Sequence, residues 1–454
     1  MKLVFLMTML SIPFLCASYG QEPVTLTLDK AVEVALAKNT QVIQAQYSVE
    51  GKQSSVTAAV GGLLPTLSAS GSYLNRQQWT PLTAGGSTFI PGIGTIVLPG
   101  SGGHSVSESY SAGLSSSLVL YDGFTNYANI TAAKTSESSS EFTLERTVQN
   151  TILQTYTFFL NVDRTFELMK VSEDNLKHSK RQLEQIEESN KIGSAALADV
   201  YRQQVQVSTD ELSLITAQSN YEKAKLALVA FLGVDFNAEY KFDFAGIPQD
   251  IDTTEFASVN AKYADLNGLM NTAIEKRPDY QSAVESFNSA DAAVTGAKGA
   301  YLPTVSANGS YGLNNTELRY ITDNQNLSIS LGISVPIFSG FSLQSQVEQA
   351  EVARNIADEQ VKQAERQVRV DVRGALLDLD AAEKQVYVTQ TGIESAAADQ
   401  DIATEKYHLG AGTLLDVLTA NANYTTALSN KVNAVTGYLL AKKTTEFVLG
   451  IITK

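Results

Sequence analysis

The stretch "LLPTLSASGSY", Leu63 to Tyr73, is written a second time as "YLPTVSANGSY", Tyr301 to Tyr311, 238 residues further on. Self-similarity at a fixed spacing has to be settled first, because it sets the unit of architecture. The helical phrase just before it keeps the spacing, with "ALAKN" from Ala35 facing "AIEKR" from Ala273. Beyond it, "LYDGF" from Leu120 faces "IFSGF" from Ile337, a spacing of 217. That second spacing holds from Gly193 to Gly410, from Asp199 to Asp416 and from Leu232 to Leu449. The change of 21 falls inside one connection, where the first copy carries the extra Gly/Pro-rich segment "TPLTAGGSTFIPGIGTIVLPGSGG", Thr80 to Gly103. The chain is therefore one unit used twice, each copy reading helix, strand, strand, long helix, turn, shorter helix.

The strands are read from alternation. Leu67, Ala69, Gly71 and Tyr73 share one face, with Ser68, Ser70 and Ser72 opposite; Val305, Ala307, Gly309 and Tyr311 repeat the pattern. The return strand of the second copy is cleaner still: Leu327, Ile329, Leu331, Ile333, Val335 and Ile337 alternate with Ser328, Ser330, Gly332 and Ser334. Leu114, Leu118 and Leu120 mark its counterpart in the first copy. Such strands suit half of a soluble sandwich or a membrane barrel with lipid outside and a polar lumen. Aromatic residues towards their ends (Tyr73, Trp79, Tyr110, Tyr121, Phe124, Tyr311, Tyr320, Phe338, Phe341) resemble an interfacial girdle, and together with a secretory leader and no cysteine beyond it they favour the barrel. Four strands cannot close a barrel, and an open edge in lipid leaves backbone groups unpaired. The chain must therefore associate; two copies give eight strands and three give twelve.

The helices add a length argument. Phe124 to Asn190 and Phe341 to Tyr407 are proline-free segments of equal length, each able to span ~100 Å as helix. In the second, Val361, Ala364, Val368, Val372, Ala375, Leu379, Ala382 and Val386 form one apolar stripe that needs a long partner. The segments Leu28 to Val60 and Ala196 to Leu232 together nearly match that length, which predicts two shorter helices stacked end to end beside each long one.

Bulk properties restrict the function. "MKLVFLMTMLSIPFLCASYG" has the basic start, apolar run and small-residue end of a secretory signal peptide, residues 1–20. A lipoprotein signal using Cys16 is the competing reading, poorly served by Pro13, Phe14 and Leu15 in front of it. Cys16 is the only cysteine, so cleavage leaves no thiol chemistry. Without Lys2 the chain has 32 basic and 48 acidic residues, a net of −16, which argues against nucleic acid. His104, His178 and His408 lie far apart with no metal-ligand spacing, "GIGTIV" lacks the third glycine of a dinucleotide fingerprint, and neither glycine turn carries a phosphate-loop lysine. No enzyme, cofactor or metal site is expected. The alternative to a conducting channel is a non-conducting envelope-spanning coiled-coil scaffold or adhesin stalk.

Over nearly its whole length the chain resembles the TolC-type outer-membrane efflux proteins. The resemblance rests on phrases present twice and in order: Leu64-Pro65 and Leu302-Pro303 opening the strands, "LYDGF" and "IFSGF" opening the long helices, and the glycine-turn phrases ending in Asp-Val. It implies a mixed α and β membrane protein built from a duplicated unit. Three copies would form a 12-stranded β-barrel in the outer membrane, continued by a long α-helical barrel across the periplasm. It further implies an exit duct without cofactor, docked on a periplasmic adaptor and an inner-membrane transporter. The expected layout is a first repeat at 21–233 (strands 63–78 and 106–121, helices 124–190 and 196–232), an equatorial insertion at 234–262, and a second repeat at 263–454 (strands 301–314 and 325–338, helices 341–407 and 413–449). The segment 80–104 would be a solvated hairpin loop outside the cell, or else a plug or receptor surface.

The turns "KIGSAALADVYRQ" from Lys191 and "HLGAGTLLDVLTA" from His408 hold the candidate site. Gly193 and Gly410 are expected to make the hairpin turns. Asp199 and Asp416, six residues later among apolar neighbours, sit late for a helix-dipole role and suit a water-filled lumen instead. By the resemblance, Asp416 matches an aspartate ring at the periplasmic entrance, and the second acidic ring falls on Thr419 and is absent. Tyr407 and Asp199 match a Tyr–Asp link of the closed entrance, although Tyr407 also reads as a helix-end packing residue. The arginine of a second link is replaced by Gly412.

Overall fold

The computed structural model describes residues 24–453 apart from 98, 99, 101, 237, 239 and 253. The signal-peptide reading of 1–20, with Cys16, lies outside these residues. In chain order the elements are β1 (Val24–Leu26), α1 (Leu28–Lys38), α2 (Thr40–Gly61), β2 (Thr66–Thr80), β3 (Ser87–Ile90), β4 (Gly94–Val97), β5 (Gly103–Tyr121), α3 (Thr125–Lys191) and α4 (Leu197–Leu232). They continue with β6 (Tyr240–Phe242), α5 (Thr254–Lys262), α6 (Leu266–Lys276), α7 (Pro278–Gly299), β7 (Thr304–Asn315), β8 (Gln325–Ser334), α8 (Ser342–His408) and α9 (Leu414–Val448). No helix among the described residues is long and apolar enough to cross a membrane.

The chain divides into two compact units. One comprises Tyr47–Thr143 and Asp279–Glu365 and holds a four-stranded antiparallel sheet in the order β2-β5-β7-β8. Odd-numbered positions place Leu327, Ile329, Leu331 and Ile333 of β8 on one face, all exposed, while Ser328, Ser330 and Ser334 occupy the other. That strand stops at Ser334, short of residue 338, because Pro336 has no N–H to give to a ladder. The Gly/Pro-rich segment contains its own ribbon, β3 paired antiparallel with β4, with Gly92 and Gly94 supplying left-handed backbone at its turn. At both strand-to-helix turns two consecutive residues have positive φ, Gly123-Phe124 (69° and 69°) and Gly340-Phe341 (65° at the phenylalanine). A bulky residue held there is strained, and the strain occurs in both copies.

The other unit comprises residues up to Gln46, Leu144–Pro278 and residues from Arg366 onward. Its core lies where β1 pairs in parallel with β6 and where Phe159 and Leu160 of α3 meet Ala31 and Ala35 of α1, Leu228 and Leu232 of α4, and Ile247. Phe159, Phe166, Phe242 and Phe244 form a connected ring cluster, with Phe244 at 5.7 Å from Phe159 and 5.4 Å from Phe166. Insertion residues thus complete the core instead of decorating it.

Leu28 to Val60 is not the single helix expected from its sequence. It breaks at Asn39, whose backbone is extended (ψ 129°) and whose side chain donates to the carbonyl of Phe231 at 2.8 Å. The second copy breaks at the equivalent Arg277, where the following Pro278 disfavours helical backbone. Each break receives the end of the partner helix. A Cβ on Gly233 would sit 2.9 Å from the Lys38 carbonyl, and one on Gly450 would sit 2.7 Å from the Lys276 carbonyl. Glycine is required at both because backbone meets backbone.

Candidate functional site at the glycine turns

The two turns close in the same way. Gly193 and Gly410 have φ of 77° and 73°, the left-handed conformation glycine reaches at no steric cost. Each turn then returns N–H groups to carbonyls of the departing helix: Ser194 to Ser189 at 2.9 Å, and Ala411 and Gly412 to Lys406 at 2.9 and 3.0 Å. The local geometry at Gly412 suits a small residue. A Cβ there would lie 3.1 Å from the Lys406 Cβ, so a side chain fits only if Lys406 shifts.

The aspartates lie closer to their helix starts than their distance from the glycines suggests. α4 begins at Leu197 and α9 at Leu414, so Asp199 and Asp416 both fall in the first turn. Asp416 completes a capping box: Thr413 N–H and Oγ donate to its Oδ2 at 2.9 and 2.8 Å, and the Asp416 N–H donates back to the Thr413 hydroxyl at 3.3 Å. Those bonds, the backbone one foremost, hold the Asp416 carboxyl below the usual range. The expectation that six residues past the glycine is too late for a helix-terminus role was therefore wrong, because the helix starts four residues after Gly410. Asp416 is nonetheless exposed and ionised, so capping and lining an aqueous entrance are compatible. Asp199 has no such box; it accepts from Arg202 at 3.3 Å. Thr419 is exposed and turns its hydroxyl back on the Leu415 carbonyl at 2.9 Å.

Tyr407 packs among Leu183, Ile186, Val200, Leu414 and Leu418. Burial first, and then the negative charge of Asp199, pushes its hydroxyl pKa up. Within one chain no hydrogen bond joins Tyr407 to Asp199 among the described residues, so the structure brings the pair near without linking it. Beside Tyr407 a cavity of about 260 Å³ opens between α3 and α8, lined by His178, Arg181, Gln185 and His408. No group of residues suited to a metal ion occurs among the described residues.

The sequence reading missed a polar seam between the two hairpins. Asn421, 8% exposed, donates to Gln182 Oε1 at 3.3 Å and accepts from Gln400 Nε2 at 2.8 Å. Thr425 donates to Asn175 Oδ1 at 3.1 Å one turn further along. These bonds tie α3 to α8 and α9. Amides at otherwise buried positions of α9 were the available signal, since a buried amide requires partners.

The chain belongs to the outer membrane efflux protein family, whose model matches residues 31–234 and 269–450. It is a passive exit duct of the outer membrane, not an enzyme, and the scaffold or adhesin reading is set aside. Among curated relatives, the outer membrane protein TolC of Escherichia coli (strain K12) is 24% identical over 360 residues, covering 77% of this chain and 71% of the relative. The outer membrane efflux protein BepC of Brucella suis is 23% identical over 407 residues, covering 88% of this chain and 80% of the relative. The fold is that of solved channels: the CmeC outer membrane channel of Campylobacter jejuni aligns with a TM-score of 0.74 at 20% identity, over 93% of this chain and 85% of that one. VceC of Vibrio cholerae aligns with a TM-score of 0.72 at 18% identity, over 93% and 96% of the two chains.

Proposed function

We propose that three copies of this chain assemble into a closed barrel with a helical tunnel, gated at the Gly193 and Gly410 turns and docked on a periplasmic adaptor and an inner-membrane transporter. The observation that carries the assembly is the sheet itself: four strands whose two edges have no partner among the described residues, with an exposed apolar row, cannot rest in lipid singly. Three Asp416 carboxylates around one axis would make an acidic constriction that attracts cations. Tyr407 and Asp199, close but unbonded within one chain, would meet across neighbouring hairpins, while Gly412 leaves the second link unmade.

The test is conductance of the purified protein in planar bilayers. Discrete channels are expected, cation-selective and blocked by multivalent cations. Asp416→Asn should weaken both properties, and its capping bonds can be kept in part by the amide. Absence of channels under any condition would sink the duct, and unchanged selectivity would remove Asp416 from the constriction.

The polar seam gives a second expectation. If α8 and α9 move from α3 when the entrance opens, Asn421→Ala weakens the closed state by about 1–3 kcal/mol, since it strands Gln182 and Gln400. Open-state occupancy in the same bilayers should rise roughly 5- to 150-fold. An unaltered open probability would show that the seam does not part on opening.

A further inference from the structure

Two of the chain's three histidines, 230 residues apart in sequence, line one cavity. His178 and Arg181 reach it from α3, one turn apart, while Tyr407 and His408 reach it from α8, and its volume is about 260 Å³. None of these four side chains makes a hydrogen bond or ion pair among the described residues. Arg181 differs in this from the other two arginines of α3, which are held: Arg146 by Gln149 and the Phe447 carbonyl, Arg164 by Asn161 and Asn433.

The lining of this cavity contains no carboxylate, although the chain carries 48 acidic residues against 33 basic ones. The acids of the same α3–α8 groove gather next to it instead. A cavity of about 650 Å³, which shares His178 and Thr404 with the first, is lined by Asp174, Asp401 and Glu405. One end of the groove therefore presents donors and positive charge, and the other presents negative charge. The guanidinium of Arg181 beside two imidazoles disfavours a metal ion, and no metal-ligand group occurs among the described residues.

We infer that this cavity binds a small free oxyanion, a phosphate or a carboxylate, and that the bound anion ties α3 to α8. Arg181 offers a planar fork of N–H donors that matches two oxygens of such a group. Each imidazole, neutral or charged, has an N–H to give, and the Tyr407 hydroxyl supplies another donor. Hydrogen bonds to an ionised acceptor are about twice as strong as neutral ones. The volume admits an ion of that size and falls below the ~300 Å³ at which pockets for drug-sized ligands begin. The binding site stands by itself; its effect on the entrance rests on the gate proposed above, because Tyr407 belongs to both.

Titration of the purified full-length protein with inorganic phosphate at low salt, read by calorimetry, tests the site. Saturable binding is expected with a Kd of about 1 mM or tighter. Arg181→Gln combined with His408→Gln should weaken it about tenfold or more, while Arg181→Lys stays within about threefold and His104→Gln, outside the cavity, changes nothing. Unaltered helical circular dichroism in each variant separates lost binding from lost folding. Equal affinity in the unaltered protein and the double variant overturns the site, as does the absence of saturable binding below about 20 mM. A parallel titration with citrate separates the two sources: phosphate binding alone assigns the cavity to phosphates, citrate binding alone to carboxylates. Chloride competing equally at matched ionic strength overturns recognition of oxyanions. In planar bilayers, saturating phosphate should lower open probability about threefold or more relative to chloride, and this effect should vanish in the double variant. Binding with an open probability unmoved by phosphate overturns the tie between α3 and α8. Binding by a protein that forms no channels at all overturns the gate reading and leaves the site in place.

Discussion

Replacing Phe159 by alanine should destabilise the unit that contains it by ~3–5 kcal/mol, the usual cost of removing a large aromatic from a core that cannot collapse. Phe159 is fully buried. Its ring meets Phe242 at 6.4 Å and Phe244 at 5.7 Å, both edge-on, so the loss includes ring contacts beyond buried area. Three separate parts of the chain converge on it: α1 through Ala31 and Ala35, α4 through Leu228 and Leu232, and the insertion through Phe242, Phe244 and Ile247. None of these can follow the missing ring inward without leaving another partner. Urea unfolding in detergent, read by helical circular dichroism, should show the midpoint falling sharply. Phe158→Ala is the comparison: Phe158 packs against the cluster from outside, on Phe231 at 4.9 Å, and should cost less. Equal losses at both positions would remove the claim that the insertion is part of the core.

That core shows where sequence reading stops. The duplication was legible because whole phrases recur, and the strand faces because alternation needs no partner to be seen. The break at Asn39 was not, since its cause is distant: the Asn39 amide reaches the Phe231 carbonyl, and Gly233 abuts Lys38. Pro278 announces the break in the second copy, and carrying it back through the repeat would have found the first. The role of Asp416 is hidden in the sequence because the glycine of the turn does not mark the helix start: the helix begins after Thr413, and it is Thr413 that makes the aspartate a cap. The Asn421 seam stayed hidden because amides separated by 239 residues, as Asn421 and Gln182 are, carry no pattern linking them. What the sequence conveys well is periodicity and punctuation; what it conveys poorly is which polar group answers which.

Asp163→Asn should stabilise the protein at neutral pH, by up to about 3 kcal/mol, and should do so only there. Asp163 is 4% exposed on α3. Burial raises its carboxyl from 3.8 to about 6; the hydrogen bond from Gln249 opposes this, Glu167 adds to it and Lys170 opposes it. The sign follows from linkage. An acid whose folded pKa lies above its unfolded value favours folding most when protonated, so the benefit is complete below about pH 3.8. It is lost as the pH rises to about 6, and above that the buried charge is a constant penalty. A displacement of that size corresponds to about 3 kcal/mol at 1.36 kcal/mol per pH unit. Asparagine removes the charge but keeps an acceptor for Gln249, whose Nε2 donates to Asp163 Oδ1 at 3.2 Å. The insertion thus stays tethered to α3. The measurement is unfolding free energy of both proteins between pH 4 and 8. The curves should nearly coincide near pH 4 and separate through pH 6, whereas a constant separation would mean that Asp163 is not charged at a cost. Asp163→Leu separates charge from tether: it also removes the penalty but strands Gln249. It should therefore gain less than Asp163→Asn at pH 8 and fall below the unaltered protein at pH 4.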